Sequence, residues 1–281
     1  MVRSFSCLME LDLLRCLGDD FVYMIWRIFR RDSCGGIVPS MKKIVVWAHR
    51  GASGKAPENT LAAFRLAQRF GADGVELDVR LTADGVPVVM HDDTLDRTTD
   101  VNGELHTFSL ADLQSVDAGS WFAPRYAGEP IPTLDQVLRW AGSYFRLNLE
   151  IKEFAAGMAV VGLLERFPGC RALVSSFDYA LLEALRRKAT WLPVGFLSAQ
   201  RHWVESIDDA VACGAESFHP RQDLVLPEQV RLCHARGLKV YPWVVDDRQR
   251  FKALLDMGVD GLFTNDPGQV CRWRDHSAPA G

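Results

Sequence analysis

The chain has no C-x-x-C pair, and its seven cysteines (Cys7, Cys16, Cys34, Cys170, Cys213, Cys233, Cys271) are scattered and odd in number. That speaks against a disulfide framework and against a clustered zinc site. It fits a reducing compartment, and we expect the cytoplasm. Basic excess is also missing: the formal net charge is -4 and the pI about 6.0, so no nucleic-acid partner is expected. Any phosphate must then be handled by local charge. Residues 21–26 form an apolar run that Arg27 ends, far short of the ~20 residues that span a bilayer, and no stable membrane insertion is expected. Internal repeats and low-complexity tracts are absent too. What is present, in 281 residues with 48% hydrophobic and 24% charged side chains, is enough to bury the core of one large α/β domain.

Residues 1–40 differ in texture from the rest. Leu8, Leu11, Leu13, Leu14 and Leu17 precede the apolar run, and Arg27, Arg30 and Arg31 follow it. Acidic Asp19 and Asp20 stand where a secretory signal carries positive charge. Two readings remain: an amphipathic helix that lies on a membrane surface or joins two copies in a homodimer, or upstream sequence outside the native protein, with the start at Met41. We expect the second.

From Lys43 onward, short β-rich runs alternate with helical patterns, the mark of repeated βα units. The expected strands are Ile44–Ala48, Gly74–Val79, Val86–Met90, Arg146–Ile151, Ala172–Ser175, Val194–Leu197, Glu216–His219, Lys239–Val245 and Gly261–Phe263. That is one more than a (β/α)8 barrel needs. Only Arg80–Gly85 separates the second and third runs, too short for a helical crossover, and Ala83-Asp84-Gly85 suits a tight turn. These two runs then pair as a hairpin that brings His91 opposite residues 77 and 78; alternatively, Gly261–Phe263 lies at the rim. Expected helices include Thr60–Phe70, capped by Asn59, with Leu134–Ala141, Tyr179–Lys188, Pro227–Arg236 and Asp247–Met257. Residues 41–275 make the barrel domain. An insertion at about 92–132, with a short helix signal at Ser109–Val116, is expected to hang over the pocket as a lid. Cys213 and Cys233 fall in helical patterns and read as small packed hydrophobes.

The polar residues at the strand ends carry the chemistry. Glu76 and Asp78 point to the same side of a strand, so with Glu150 they can converge on one ion. Three carboxylates without neighbouring thiols favour a hard divalent cation, Mg2+ or Ca2+. An unperturbed imidazole changes charge near neutrality, so His49 and His91 are the side chains expected to form an acid/base pair. Arg50 and Lys152 add positive charge for a phosphate, Gly51 permits close backbone approach, and Asn59-Thr60 open a helix whose N-terminus faces the ligand. Such a set suits cleavage of an anionic phosphodiester, which needs charge neutralisation, a base and an acid.

The combination His49-Arg50-Gly51, Pro57-Glu58-Asn59-Thr60, Glu76-x-Asp78, His91-Asp92 and Glu150-x-Lys152 resembles the glycerophosphodiester phosphodiesterase family from about Ile44 to Pro267. The resemblance implies a TIM (β/α)8 barrel with a small insertion after the third strand. It further implies one divalent cation held by Glu76, Asp78 and Glu150, with His49 and His91 as the acid/base pair and Arg50 and Lys152 on the phosphate. The substrate would be a small glycerophosphodiester, released as sn-glycerol 3-phosphate and an alcohol by way of a cyclic phosphate or by direct water attack. Trp243 and Phe177 are expected against the substrate. The family strand Trp-Thr-Val-Asn is here Trp243-Val244-Val245-Asp246, which would put a carboxylate at the pocket edge. Ser175-Ser176-Phe177 and Thr264-Asn265-Asp266-Pro267 would line its mouth, and Glu216 and His219 are further candidates. Competing readings are a phospholipase-type lyase acting on lysolipids and a non-catalytic phosphodiester-binding module.

Overall fold

A computed structural model describes residues 44–277, so the readings placed on residues 1–40 lie outside the described residues. Eight parallel strands form a nearly closed barrel with helices between them: β1 (Val45–His49), β2 (Gly74–Leu81), β4 (Arg146–Ile151), β5 (Arg171–Ser176), β6 (Val194–Ser198), β7 (Ser217–Pro220), β8 (Lys239–Val240) and β9 (Gly261–Thr264). The extra strand, β3 (Pro87–Val89), pairs antiparallel with β2 alone. Its register, Val79 opposite Val89, continues through the bond from Met90 N to Asp78 O (3.0 Å) and carries His91 back to the level of Leu77. Gly85, at φ +76°, makes that turn, so β3 is the surplus strand and β9 a true barrel strand beside β1.

Alternation along β4 shows how the barrel sorts its side chains. Leu147, Leu149 and Ile151 are buried in the main core, while Arg146, Asn148 and Glu150 occupy the other face. Trp47, Tyr241 and Phe263 pack as a separate aromatic cluster, with Trp47 stacked on Phe263 at 6.1 Å. The strand expected over Lys239–Val245 is cut to two residues. Pro242 has no N–H for a ladder, and single bonds such as Val245 N to Phe263 O (2.8 Å) close the barrel there instead.

The helices are α1 (Leu61–Arg69), α2 (Leu110–Leu113), α3 (Leu134–Ala141), α4 (Phe154–Leu164), α5 (Tyr179–Lys188), α6 (Ile207–Cys213), α7 (Pro227–Ala235), α8 (Arg248–Met257) and α9 (Pro267–Ser277). None of those described is long and apolar enough to cross a membrane. Thr60, not Asn59, caps α1 through Ala63 N (3.2 Å). Gly51 is required by packing rather than by a ligand: at φ +81°, a Cβ there would lie 2.7 Å from Ala63 Cβ. The buried thiol of Cys233 is pushed up to about 12 by burial, and Cys213 is half-buried, as expected of packed residues.

Between β3 and α3 the chain builds a small core of its own from Leu95, Leu105, Leu113, Val116 and Ile131. None of residues 92–132 lines the pocket. The segment packs on the β1–α1 loop and the start of α1: Tyr126 donates to Lys55 O (3.0 Å), and Glu129 accepts from Ala62 N (2.9 Å). That carboxylate and the Thr60 hydroxyl occupy N–H groups of the first turn of α1, which are therefore not offered to a phosphate as the sequence suggested.

Candidate active site

At the C-terminal ends of the strands a cavity of about 250 Å³ gathers His49, Arg50, Glu76, His91, Glu150 and Lys152. Its other wall is apolar and includes Phe177, Leu197, Trp243 and Phe263, and Asn148 also lines it. Asp78 sits against it, paired with Arg50 and Lys152. The nine residues expected to act on the substrate or to hold the cation are thus at or beside one cavity. A larger cavity of about 590 Å³ opens at the opposite end of the barrel near Phe167, Arg171 and Trp191, without such a convergence of ionisable groups.

One oxygen each of Glu76, Asp78 and Glu150 lies within 4.8 Å of the other two, and all three residues are buried. Burial and the charges of Asp78 and Glu150 hold the Glu76 carboxyl well above the usual range. Glu150 is raised too, by burial and then by Asp78. Burial pushes Asp78 up as well, but Lys152, Arg50 and His91 together bring it below the ordinary value. Isolated buried carboxylates cost several kcal/mol each, and the supports of Asp78 show how this is met. Asn59 donates from Nδ2 to Asp78 Oδ2 (2.8 Å), Arg50 Nε lies 3.3 Å away, and Lys152 Nζ lies 2.8 Å from Asp78 Oδ1 while also bonding Glu150. Asn59 does this at φ +60°, which explains why it is not the helix cap. Glu76 accepts from Arg50 N (2.8 Å) through Oε2, while its Oε1 is buried without a hydrogen-bond partner among the described residues. An acidic, oxygen-only, incompletely satisfied cluster is a fit for a hard divalent cation.

The two imidazoles have different partners. His49 Nδ1 lies 2.8 Å from Asn265 Oδ1, a neutral amide, and burial followed by the Arg50 charge brings its pKa down to about 4. His91 Nδ1 lies 2.6 Å from Asp92 Oδ1, a carboxylate. Arg97 bonds that carboxylate through Nε (2.6 Å) and holds it at about 2. The same guanidinium bonds Glu58 (2.8 and 3.0 Å), and Glu58 in turn accepts from Arg50 Nη1 (2.8 Å). One ion-pair chain therefore runs from His91 to Arg50 and Asp78.

Glu58 and Arg97 were given no role by the sequence reading, and Asn148 was overlooked. Both atoms of the Asn148 amide are buried without a partner among the described residues. The period-two run Asn148-x-Glu150-x-Lys152 was the signal that could have found it.

Phe177, 48% exposed, meets Trp243 edge to face at 5.7 Å on the pocket wall. Three expectations do not hold. Asp246 does not enter the pocket; its oxygens are taken by Thr264 Oγ1, Asn265 N and Asn265 Nδ2. His219 is fully buried beneath the pocket, bonded to Ser217 Oγ (2.8 Å) and packed on Tyr241 and Phe263, so burial brings its pKa down to about 3. Glu216 precedes β7, at the opposite end of the barrel, and pairs with Lys239 (2.6 Å). Of the two mouth segments, Phe177 and Asn265 reach the site, whereas Ser176 Oγ is spent on Ile151 O (2.8 Å) and Asp266 caps α9 through Gln269 N (3.0 Å).

Residues 49–269 match the model of the glycerophosphoryl diester phosphodiesterase family. A glycerophosphodiester phosphodiesterase of Caldanaerobacter subterraneus subsp. tengcongensis is 40% identical over 237 residues, covering 81% of this chain and 96% of the relative. Among solved structures, an Oleispira antarctica phosphodiesterase in complex with the product sn-glycerol-3-phosphate superposes with a TM-score of 0.77 at 34% identity, covering 82% of this chain and 96% of that one. A putative glycerophosphoryl diester phosphodiesterase from Silicibacter pomeroyi superposes with a TM-score of 0.76 at 28% identity, covering 85% and 95%.

Proposed function

The chain belongs to the glycerophosphoryl diester phosphodiesterase family and is an enzyme of that activity; we propose that it hydrolyses small, deacylated glycerophosphodiesters with a divalent cation and a His49/His91 base and acid. The observation that carries this reading is the meeting of three carboxylates, two differently partnered imidazoles and two cations at one cavity. Glu76, Asp78 and Glu150 would hold the cation, which would supply positive charge for the phosphoryl group. Arg50 and Lys152 add to that charge and orient the phosphate.

His49, whose Nδ1 is committed to an amide oxygen, keeps the Nε2 lone pair for the proton of the attacking hydroxyl, either the glycerol 2-hydroxyl or water. As that oxygen bonds phosphorus, the ester bond to the alcohol breaks; where the 2-hydroxyl attacks, water then opens the cyclic phosphate to glycerol 3-phosphate. His91, its ring held by Asp92 at Nδ1, gives a proton to the departing alkoxide. Trp243 and Phe177 form the wall against which an apolar or cationic alcohol packs.

The test is a panel of glycerophosphocholine, glycerophosphoethanolamine and lysophosphatidylcholine, with and without EDTA, with glycerol 3-phosphate dehydrogenase reporting product from the first two and choline release reporting cleavage of the third. We expect glycerol 3-phosphate from the first two. No product from either would sink the reading, and faster cleavage of lysophosphatidylcholine would favour the lyase alternative.

Asn148 gives the glycerol end a reader. A carboxamide donates at one end and accepts at the other, which matches the two adjacent hydroxyls of a free glycerol unit. Asn148→Leu should reduce kcat/KM on glycerophosphocholine roughly tenfold to a hundredfold more than on bis(4-nitrophenyl) phosphate, which has no hydroxyl. Equal losses on both substrates would remove Asn148 from glycerol recognition.

A further inference from the structure

We propose that Asp246, although outside the pocket, is a positioning residue that fixes the tautomer of His49 through the side-chain amide of Asn265. This rests on the reading of His49 as the base. The geometry leaves little freedom. Asp246 Oδ1 accepts from Asn265 N (2.8 Å) and Thr264 Oγ1 (2.6 Å), and Asp246 Oδ2 accepts from Asn265 Nδ2 (2.7 Å). An ionised carboxylate only accepts, so the amide nitrogen of Asn265 is obliged to face Asp246. The amide oxygen then faces the other way, where it lies 2.8 Å from His49 Nδ1 and 3.0 Å from Ser53 Oγ.

That oxygen has no hydrogen to give, so the hydrogen of the contact belongs to His49 Nδ1. In the neutral ring the lone pair is thereby placed on Nε2. Ser53 adds a second hold on the same residue, since its hydroxyl also bonds His49 O (2.7 Å). If position 246 bore an amide, its oxygen would be held by Asn265 N and its NH2 would face the Asn265 side chain, turning the Asn265 amide nitrogen toward His49. With a carboxylate only one orientation satisfies the chain of bonds. The charge at 246 thus acts two hydrogen bonds away from the imidazole, choosing which nitrogen is free to take a proton.

The experiment uses the full chain with 15N-labelled histidine. Long-range proton–nitrogen correlation spectra at neutral pH identify the protonated ring nitrogen of His49, and kcat and KM are measured on glycerophosphocholine. The wild type is expected to show hydrogen on Nδ1. In Asp246→Ala we expect a mixture of tautomers, with kcat reduced roughly tenfold to a hundredfold, the range found when an imidazole loses its orienting partner, and KM within about twofold. Asp246→Asn, which keeps the shape but turns an N–H toward the Asn265 amide, should shift the hydrogen of His49 toward Nε2 and lower kcat likewise, and serves where the alanine variant folds poorly. An unmixed Nδ1–H tautomer in both variants overturns the proposal, whether or not kcat falls, and so does a mixed tautomer with kcat unaffected. The tautomer is read without turnover, so failure of the base assignment, seen as full activity in His49→Ala, is separable from failure of the relay.

Discussion

His49→Ala and His91→Ala are each expected to lower kcat on glycerophosphocholine by ~10²–10⁴-fold, the usual worth of a general acid or base, and to leave the fold intact. Both rings are only partly buried at the cavity, so their truncation opens little core. Their partners predict how the two losses differ. His91 faces a carboxylate, Asp92, which Arg97 also bonds. His49 faces an amide and has its pKa lowered to about 4 by burial and by Arg50, which favours the neutral ring.

A substrate whose leaving group needs no proton separates the roles. On the 4-nitrophenyl ester of glycerol 3-phosphate, His91→Ala should recover most of its lost rate, because nitrophenolate departs without help. His49→Ala should not, since the nucleophile is unchanged. Recovery in His49→Ala instead would exchange the two assignments, and full activity of either variant on glycerophosphocholine would remove that histidine from the chemistry.

How much of this was legible in the sequence depends on the reach of each interaction. Strand positions follow from a period of two residues, and all nine runs lie where strands form, including the short link that turns β2 into β3. The same periodicity aligned Glu76 with Asp78, and the strand ends brought these to Glu150 and the histidines. Local capping misled at Asn59, because a residue of a type that commonly caps helices was claimed by Asp78, nineteen residues away. Asp246 misled for a similar reason: placed next to Trp243 it looked like a pocket edge, yet its oxygens are taken by Thr264 and Asn265 of β9 and its following loop.

The bridge from Asp92 through Arg97 to Glu58 has no period to reveal it. It joins the β1–α1 loop to the segment after β3, and only the closed barrel sets those two loops side by side. Asn148, by contrast, had a visible signal in its alternation with Leu147 and Leu149, passed over because an amide was not counted among the ionisable candidates.

Chelation is expected to abolish turnover, and Glu76→Gln to reproduce that loss even with cation present. The cause is electrostatic. Three carboxylate oxygens within 4.8 Å of one another repel by roughly 3 kcal/mol or more per ionised pair at an effective dielectric constant of ~20. Arg50 and Lys152 relieve Asp78 and Glu150, but Glu76 receives only the backbone N–H of Arg50 as a hydrogen bond and keeps Oε1 unsatisfied. A divalent cation would remove this repulsion, and Glu76 would gain most from it.

Binding of this kind stabilises the folded state by about 2.7 kcal/mol at a hundredfold excess over the dissociation constant. For a domain of this size that corresponds to a rise in Tm of roughly 5–10 °C. Adding Mg2+ or Ca2+ to chelator-treated wild type should produce such a rise and restore activity together. Glu76→Gln should lose both responses, while Glu150→Gln, whose carboxylate already has Lys152, should need more cation to reach the same plateau. If Tm ignores both ions and turnover persists in EDTA, the triad is a structural ion-pair cluster, and the phosphoryl charge must then be met by Arg50 and Lys152 alone.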